Sequence, residues 1–184
     1  MDRTLIATVA DRPGVLNRVA SLFRRRAFNI ESLTVGHTER DGVSRMTIVV
    51  DSRRTDATKV AQNLRKLVDV LDVEDISDRA AILHDLALIK VRIRDLTSRS
   101  EILRIADSFQ ARLVDMGSQT ATIEIVGSER TIDTVVEALR GHGILEMVRT
   151  GRVAMVRGEA GAAAADPIGA TNRESAERGN EWPR

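Results

Sequence analysis

The clearest binding chemistry in the chain lies in one short turn, Asp11-Arg12-Pro13-Gly14. This turn separates a short apolar segment from an amphipathic one. A helix that begins at Gly14 presents unpaired backbone N–H groups and the positive end of its dipole, which together attract an anion. Gly14 has no Cβ, so a ligand can approach the backbone closely. The Asp11 carboxylate can pair with an ammonium group. The same residues also fit an ordinary capped turn, and both interpretations stay open on these four residues alone.

Residue types give little support to catalysis or metal binding. The chain has no cysteine, which excludes disulfides, thiolate nucleophiles and thiolate metal sites. Its histidines, His37, His84 and His142, are widely scattered, and none has a ligand partner at metal-binding spacing. Glu31 and Ser32 lack a histidine that would complete an acid–base set, and no Gly-x-Ser-x-Gly elbow or phosphate-binding glycine loop occurs. The chain is therefore predicted to be non-catalytic and to hold no metal or cofactor.

Composition narrows the class of protein. Apolar residues make up 42% of the 184 residues and charged residues 30%, with a net charge of +1. This balance provides no broad electrostatic surface for nucleic acid or an anionic membrane. Arg24, Arg25 and Arg26 are interpreted as a solvated helix end rather than a nucleic-acid patch, because cations complement the negative end of a helix dipole. Without a signal peptide or a membrane-length apolar run, a soluble cytoplasmic protein is expected.

Hydrophobic periodicity predicts the elements that must position the turn at Gly14. A strand at 4–9 precedes it, and a helix at 14–26 follows, with Val15, Val19 and Leu22 on one face. Strands at 29–36 and 43–51 flank the turn signal Asp41-Gly42. A helix at 55–66 and a strand at 68–76 complete a β-α-β-β-α-β order.

The same order repeats at an offset of about 80 residues, in pattern rather than in residue identity. The predicted elements of the second unit are a strand at 86–93, a helix at 98–109, strands at 111–116 and 120–126, a helix around Ile132 to Leu139, and a strand at 144–149. Residues 153–156 are predicted to extend this last strand. The predicted fold class is therefore α+β, with two tandem ferredoxin-like βαββαβ domains. Residues 1–77 form the first domain, 78–84 a linker that is helical in pattern around 80–83, and 85–157 the second domain. Residues 158–184 are predicted to be a disordered tail, because they bury nothing periodic.

Several runs resemble one family, the small regulatory subunits of acetolactate synthase (acetohydroxyacid synthase). They are DRPGVLNRVASLF, FNIESLTVGHTE, SRMTIVV, LRKLVDVLDV, LALIKV and FQARLVDMGSQTATIEIVG. FNIESL together with SRMTIVV is highly specific, whereas DRPGVL alone marks amino-acid-binding ACT domains in general. The resemblance extends over residues 5–157.

The resemblance implies an N-terminal ACT domain that binds an amino-acid effector and forms a homodimer, followed by a C-terminal ACT-like domain. In relatives the effector lies at the dimer interface, where the strand-to-helix turn of one subunit faces the helix-to-strand turn of its partner. Carried over, the effector-binding residues are Asp11, Gly14, Val15, Leu16, Asn29 and Ile30. The Asn29 amide can both donate and accept, and Leu16 and Ile30 offer apolar surface that suits a branched side chain.

The resemblance also implies a partner, the large catalytic subunit, which carries thiamine diphosphate, Mg and FAD. The assembly would catalyse the first shared step toward valine, leucine and isoleucine, and the small subunit would raise its activity and transmit feedback inhibition, with valine the expected effector. Two positions depart from relatives. Ala27 replaces a common glycine, and a left-handed alanine costs about 1 kcal/mol. Some relatives have asparagine where this chain has Asp11, and the Asp11 carboxylate attracts an ammonium group more strongly than an amide does.

Other functions fit the same topology. An ACT regulator of a different enzyme keeps the fold and changes the partner. An RNA-binding module needs aromatic residues on its central strands, whereas Phe23 and Phe109 fall on predicted helices and only Phe28 lies near a strand. A stand-alone enzyme needs a nucleophile–base pair that the chain does not provide.

Overall fold

A computed structural model describes residues 2–53 and 55–158. It confirms the predicted α+β class with two βαββαβ units. Each unit is a two-layer arrangement in which two helices cover one face of an antiparallel sheet. Within the described ranges, no helix combines the length and apolar character that crossing a bilayer requires. The tail was predicted at 158–184, and all of it except Gly158 lies outside the described residues.

The first unit has a four-stranded sheet in the order β2-β3-β1-β4. Its elements are β1 (Asp2–Ala10), α1 (Val15–Arg26), β2 (Ser32–His37), β3 (Val43–Asp51), α2 (Ala57–Leu64) and β4 (Val70–Asp75). Leu5, Ala7 and Val9 point from β1 into an aliphatic core shared with α1 and α2. The strand order leaves β2 at one edge of the sheet, beside the chain segment that follows α1.

The second unit repeats this arrangement with a path β6-β7-β5-β8. Its elements are β5 (Ala81–Arg92), α3 (Leu96–Ser108), β6 (Arg112–Met116), β7 (Thr120–Gly127), α4 (Glu129–Arg140), β8 (Ile144–Arg149) and β9 (Val153–Val156). The helix α3 begins at Leu96, two residues before the prediction, because Asp95 and Ser98 form a capping box. Ala87, Ile89 and Val91 of β5 lie in the core below α3 and α4.

The connection between the units differs from the prediction. Residues 81–84, expected in a partly helical linker, form the start of β5, because they pair antiparallel with β9. The strand β9 accordingly does not extend β8. Ala154 of β9 packs against Ile6 and Ile76 on the face of the first sheet that α1 and α2 leave uncovered.

The β8–β9 turn ties the second unit to the first. The backbone N–H of Arg152 donates to Ser32 Oγ at 3.0 Å, and its guanidinium donates to Thr4 Oγ1 at 3.1 Å and to Glu129 Oε2 at 2.9 Å. Gly151 lies so close to β2 that a Cβ placed on it would be 2.5 Å from Ser32 Oγ. The Arg152 side chain is 15% exposed, and its bonds to Ser32 and Thr4 are partly buried, whereas Glu129 is 53% exposed. The turn therefore fixes the second unit against the strand β2.

Candidate functional site

The start of α1 is open to a ligand. Gly14 stands at the N-cap with φ 88°, a left-handed conformation that glycine adopts without strain. No side chain caps this helix. Within the described part of the chain, the backbone N–H groups of Leu16 and Asn17 have no acceptor. Two free donors beside the positive end of a helix dipole are the features that bind an anion, and the anion site itself stays a prediction.

The predicted residues around this turn lie together but present different groups. Leu16 is 46% exposed and leaves an apolar surface beside the free N–H groups. Val15 is buried in the core, so its side chain is unavailable and only its backbone lies at the site. The backbone N–H of Asp11 donates to the carbonyl of Gly42 at 2.8 Å, which holds the turn against the start of β3. The arrangement provides donors, a carboxylate and an apolar patch within one short segment.

His37 contacts the same turn from the end of β2. Its Nδ1 lies 3.2 Å from Asp11 Oδ2. The sequence pattern offered no partner for His37, because 26 positions separate it from Asp11 and nothing local links them. The contact places an imidazole beside the carboxylate expected to hold an ammonium group.

Arg18 and Asp69 form a second feature that sequence reasoning missed. Arg18 Nε donates to Asp69 Oδ2 at 2.6 Å. Its Nη1 would lie 3.1 Å from a Cβ placed on Gly14, so the guanidinium stands directly over the helix start. Arg18 follows Gly14 by four residues, about one helical turn, and that spacing was the available signal. Asp69 could not be found in this way, because it lies just before β4.

Asn29 and Ile30 lie at the opposite end of α1. The helix has 12 residues, so about 18 Å of helix separates them from Gly14 within one chain. The Asn29 side chain donates to Glu31 Oε1 at 2.5 Å, and its backbone N–H donates to Thr55 Oγ1 at 3.2 Å. A single chain therefore contains two separated groups of the predicted site residues.

Ala27 adopts the strained conformation that the sequence predicts for this position. Its φ is 51° and its ψ is 35°. The N–H of Phe28 donates to the carbonyl of Phe23 at 3.0 Å, and the two aromatic rings pack edge to face with centroids 6.0 Å apart. This is a Schellman ending with its hydrophobic contact, in which an alanine occupies the left-handed position that glycine favours.

An ion pair stabilises the turn next to Asn29. Side-chain and backbone hydrogen bonds from Arg53 lower the pKa of Asp51 to about 2. The Asp51 carbonyl accepts the backbone N–H of Thr55 at 2.9 Å, and Thr55 in turn accepts from Asn29. The charged pair thus supports the segment that holds Asn29.

In residues 2–53 and 55–158, no group of three or more His, Cys, Asp or Glu side chains could bind a metal ion.

Comparison with known families gives two matches along the chain. The family described as "AHAS small subunit-like ACT domain" matches residues 5–72. The family described as "Small subunit of acetolactate synthase" matches residues 84–158. Together they span both βαββαβ units.

Individual relatives agree with this pattern. The probable acetolactate synthase small subunit of Archaeoglobus fulgidus is 44% identical over 158 residues, which cover 86% of this chain and 98% of the relative. The acetolactate synthase small subunit of Bacillus subtilis is 42% identical over 159 residues, with 86% and 92% covered. The crystal structure of the acetolactate synthase small subunit from Thermotoga maritima superposes with a TM-score of 0.78 at 32% identity, covering 86% of this chain and 98% of that one.

Proposed function

The chain belongs to the family of acetolactate synthase small subunits, and we propose that it is a regulatory subunit that binds valine and controls a catalytic large subunit. The observation that carries this proposal is the uncapped start of α1, where the free N–H groups of Leu16 and Asn17 and the exposed Leu16 side chain follow closely after Asp11 in the chain. An amino acid with an aliphatic side chain offers the matching carboxylate, ammonium and apolar groups.

A homodimer through the first unit would complete the site. Asn29 and Ile30 stand too far from Gly14 to touch the same small molecule within one chain. The strand β2 lies at an edge of the sheet and runs between these two groups, and edge strands pair readily with a second copy. A two-fold pairing of two β2 edges would bring the Gly14 turn of one protomer toward the Asn29 segment of its partner. Each dimer would then hold two equivalent effector sites at the seam.

The proposed division of labour follows the two units. Residues 1–77 would bind the effector and dimerise, 85–157 would form the second domain, and the short segment 78–84 would join them while contributing the first residues of β5. The chain itself would be non-catalytic. Thiamine diphosphate, Mg and FAD would belong to the large subunit, and this chain would act in the cytoplasm.

Regulation requires the effector to bind one arrangement of the assembly more tightly than another. A coupling free energy of about 1–3 kcal/mol would change activity or effector affinity by roughly 5- to 150-fold. The Gly14 turn and the Asn29 segment can supply this difference, because a seam between them opens or closes as the two protomers move. Valine would favour the inhibited arrangement.

The test is calorimetric titration of the full-length chain with valine, and with leucine and isoleucine for comparison. Saturable binding that disappears in Gly14→Asp would support the site, because this change adds a carboxylate where the effector's carboxylate would lie. The purified chain is then added to an acetolactate synthase large subunit from the same source. Activation that valine reverses would support the regulatory role, and the absence of any effect on the large subunit would contradict it.

A further inference from the structure

We infer that Arg18 binds the carboxylate of the effector and that Asp69 positions Arg18 for this task. The inference rests on the proposed function, because it assigns a binding residue within the same effector site. Arg18 was not among the residues that the family resemblance placed there.

Asp69 anchors the guanidinium of Arg18. Asp69 accepts from Arg18 Nε at 2.6 Å, and its side chain is only 10% exposed. The backbone carbonyl of Asp69 accepts the N–H of Ala10 at 2.8 Å, which fixes Asp69 to the end of β1. Asp69 thus forms a buried support on one side of the guanidinium. The Arg18 side chain leans toward the N-terminus of the helix, as helical side chains do.

The rest of the guanidinium is open to solvent, since the Arg18 side chain is 45% exposed. Arg18 uses only Nε in its bond to Asp69, and the donors on Nη1 and Nη2 have no acceptor within the described ranges. Nη1 lies beside Gly14, at the same corner as the free N–H groups of Leu16 and Asn17. A carboxylate at this corner would accept from the backbone and from the guanidinium together.

Electrostatics favour the same ligand. A cation in the first turn of a helix opposes the dipole, which is positive at that end. The first turn of α1 contains no acidic residue to offset this repulsion. Asp69 compensates the charge on one side, and an incoming carboxylate would compensate it on the other. The pair formed by Arg18 and Asp69 therefore selects for a ligand with a free carboxylate.

Gly14 takes a second role in this arrangement. Any side chain at position 14 would meet the guanidinium, because a Cβ there would already lie 3.1 Å from Arg18 Nη1. Glycine adopts the left-handed backbone without strain and leaves the guanidinium in place beside the helix start. The helix start and the arginine thus form one binding surface.

The experiment compares two ligands on two variants of the full-length chain. Valine and valinamide differ only in the carboxylate, and their dissociation constants are measured by ligand-observed nuclear magnetic resonance. Arg18→Gln removes the charge and keeps much of the side-chain length. Arg25→Gln removes the same charge from the exposed end of α1, where no carboxylate pairs with it among the described residues, and serves as the matched control.

The expected result is that Arg18→Gln weakens valine binding by about 10- to 100-fold, the range of charge-assisted hydrogen bonds, and valinamide binding by much less. The dissociation constant of valinamide divided by that of valine should fall sharply in Arg18→Gln and stay at its original value in Arg25→Gln. Arg18→Lys should recover part of the ratio, because it keeps the charge and loses the planar fork.

Two results would overturn the assignment in different ways. If Arg18→Gln weakens both ligands by the same factor, Arg18 acts only through the fold and does not touch the carboxylate. If the unmodified chain binds neither valine, leucine nor isoleucine, the effector site itself is wrong, and the role of Arg18 is rejected with it.

Discussion

Replacing Gly151 by alanine should loosen the contact between the two units. A Cβ at this position would lie 2.5 Å from Ser32 Oγ, 2.6 Å from Thr34 Oγ1 and 3.2 Å from the carbonyl oxygen of Leu33. Ordinary contacts of a Cβ are 3.4 Å or longer. The turn must therefore withdraw from β2 by about 1 Å, because two hydroxyls and a backbone atom cannot all yield.

The cost follows from two effects. Overpacking in a closely packed region costs about 1–3 kcal/mol. Withdrawal also weakens the 3.0 Å bond from the Arg152 backbone to Ser32, a contribution of about 1 kcal/mol. A loss of about 2–4 kcal/mol in the free energy of unfolding is therefore expected, which corresponds to a fall in melting temperature of roughly 4–16 °C for a chain of this size.

The assay is urea unfolding followed by circular dichroism, with the melting temperature measured in parallel. Gly141→Ala is the matched control, since Gly141 has a right-handed helical conformation and a Cβ there meets nothing within 4 Å. The control should raise the free energy of unfolding by about 0.4–1 kcal/mol, because alanine fits this conformation and restricts the unfolded chain more than glycine does. An unfolding curve of Gly151→Ala that overlies that of the unmodified chain would refute the close contact between the turn and β2.

Three further predictions concern local features. Ala27→Gly should raise the free energy of unfolding by about 0.5–1 kcal/mol in urea titrations, because it relieves a left-handed alanine; a loss of stability would contradict the Schellman ending. Hydrogen bonds from Arg53 lower the pKa of Asp51 from 3.8 to about 2. The ionised form of Asp51 therefore stabilises the folded state above about pH 4, and this stabilisation is lost as the pH falls toward 2. Asp51→Asn should therefore flatten the pH dependence of unfolding between these values, and an unchanged slope would argue against the pair. Asp95→Ala should lower the free energy of unfolding by about 1 kcal/mol, because it removes the capping box of α3. Asp107→Ala, at the other end of the same helix, should not lower it, and equal losses in the two variants would contradict the role of the cap.

Much of the fold could be predicted from local patterns. Strands such as β3 and helices such as α4 follow from apolar residues at spacings of two, and of three and four. The repeat of the β-α-β-β-α-β order then limits the topology. Short turns join β2 to β3 and β6 to β7 as antiparallel neighbours, whereas the connections through helices place β1 between β3 and β4, and β5 between β7 and β8. The start of the site was predictable for the same reason, since Gly14 and the residues after it are neighbours in the chain.

The connection between the units was not predictable in this way. Residues 81–84 have a pattern that suits a short helix, yet they form a strand because β9 provides backbone partners. Pairing with β9 depends on where the β8–β9 turn directs the chain, and Gly151 permits that turn to lie against β2. Such an override of local preference arises from contacts between segments about 70 residues apart.

The sequence by itself therefore determined the elements, their order and the family, since these depend on periodicity and on contiguous motifs. The tertiary structure alone decided which distant side chains meet. Asp69 supports Arg18 across 51 positions, and His37 reaches Asp11 across 26. A binding site is a relation among side chains in space, and chain order does not encode that relation until the sheet brings its strands together.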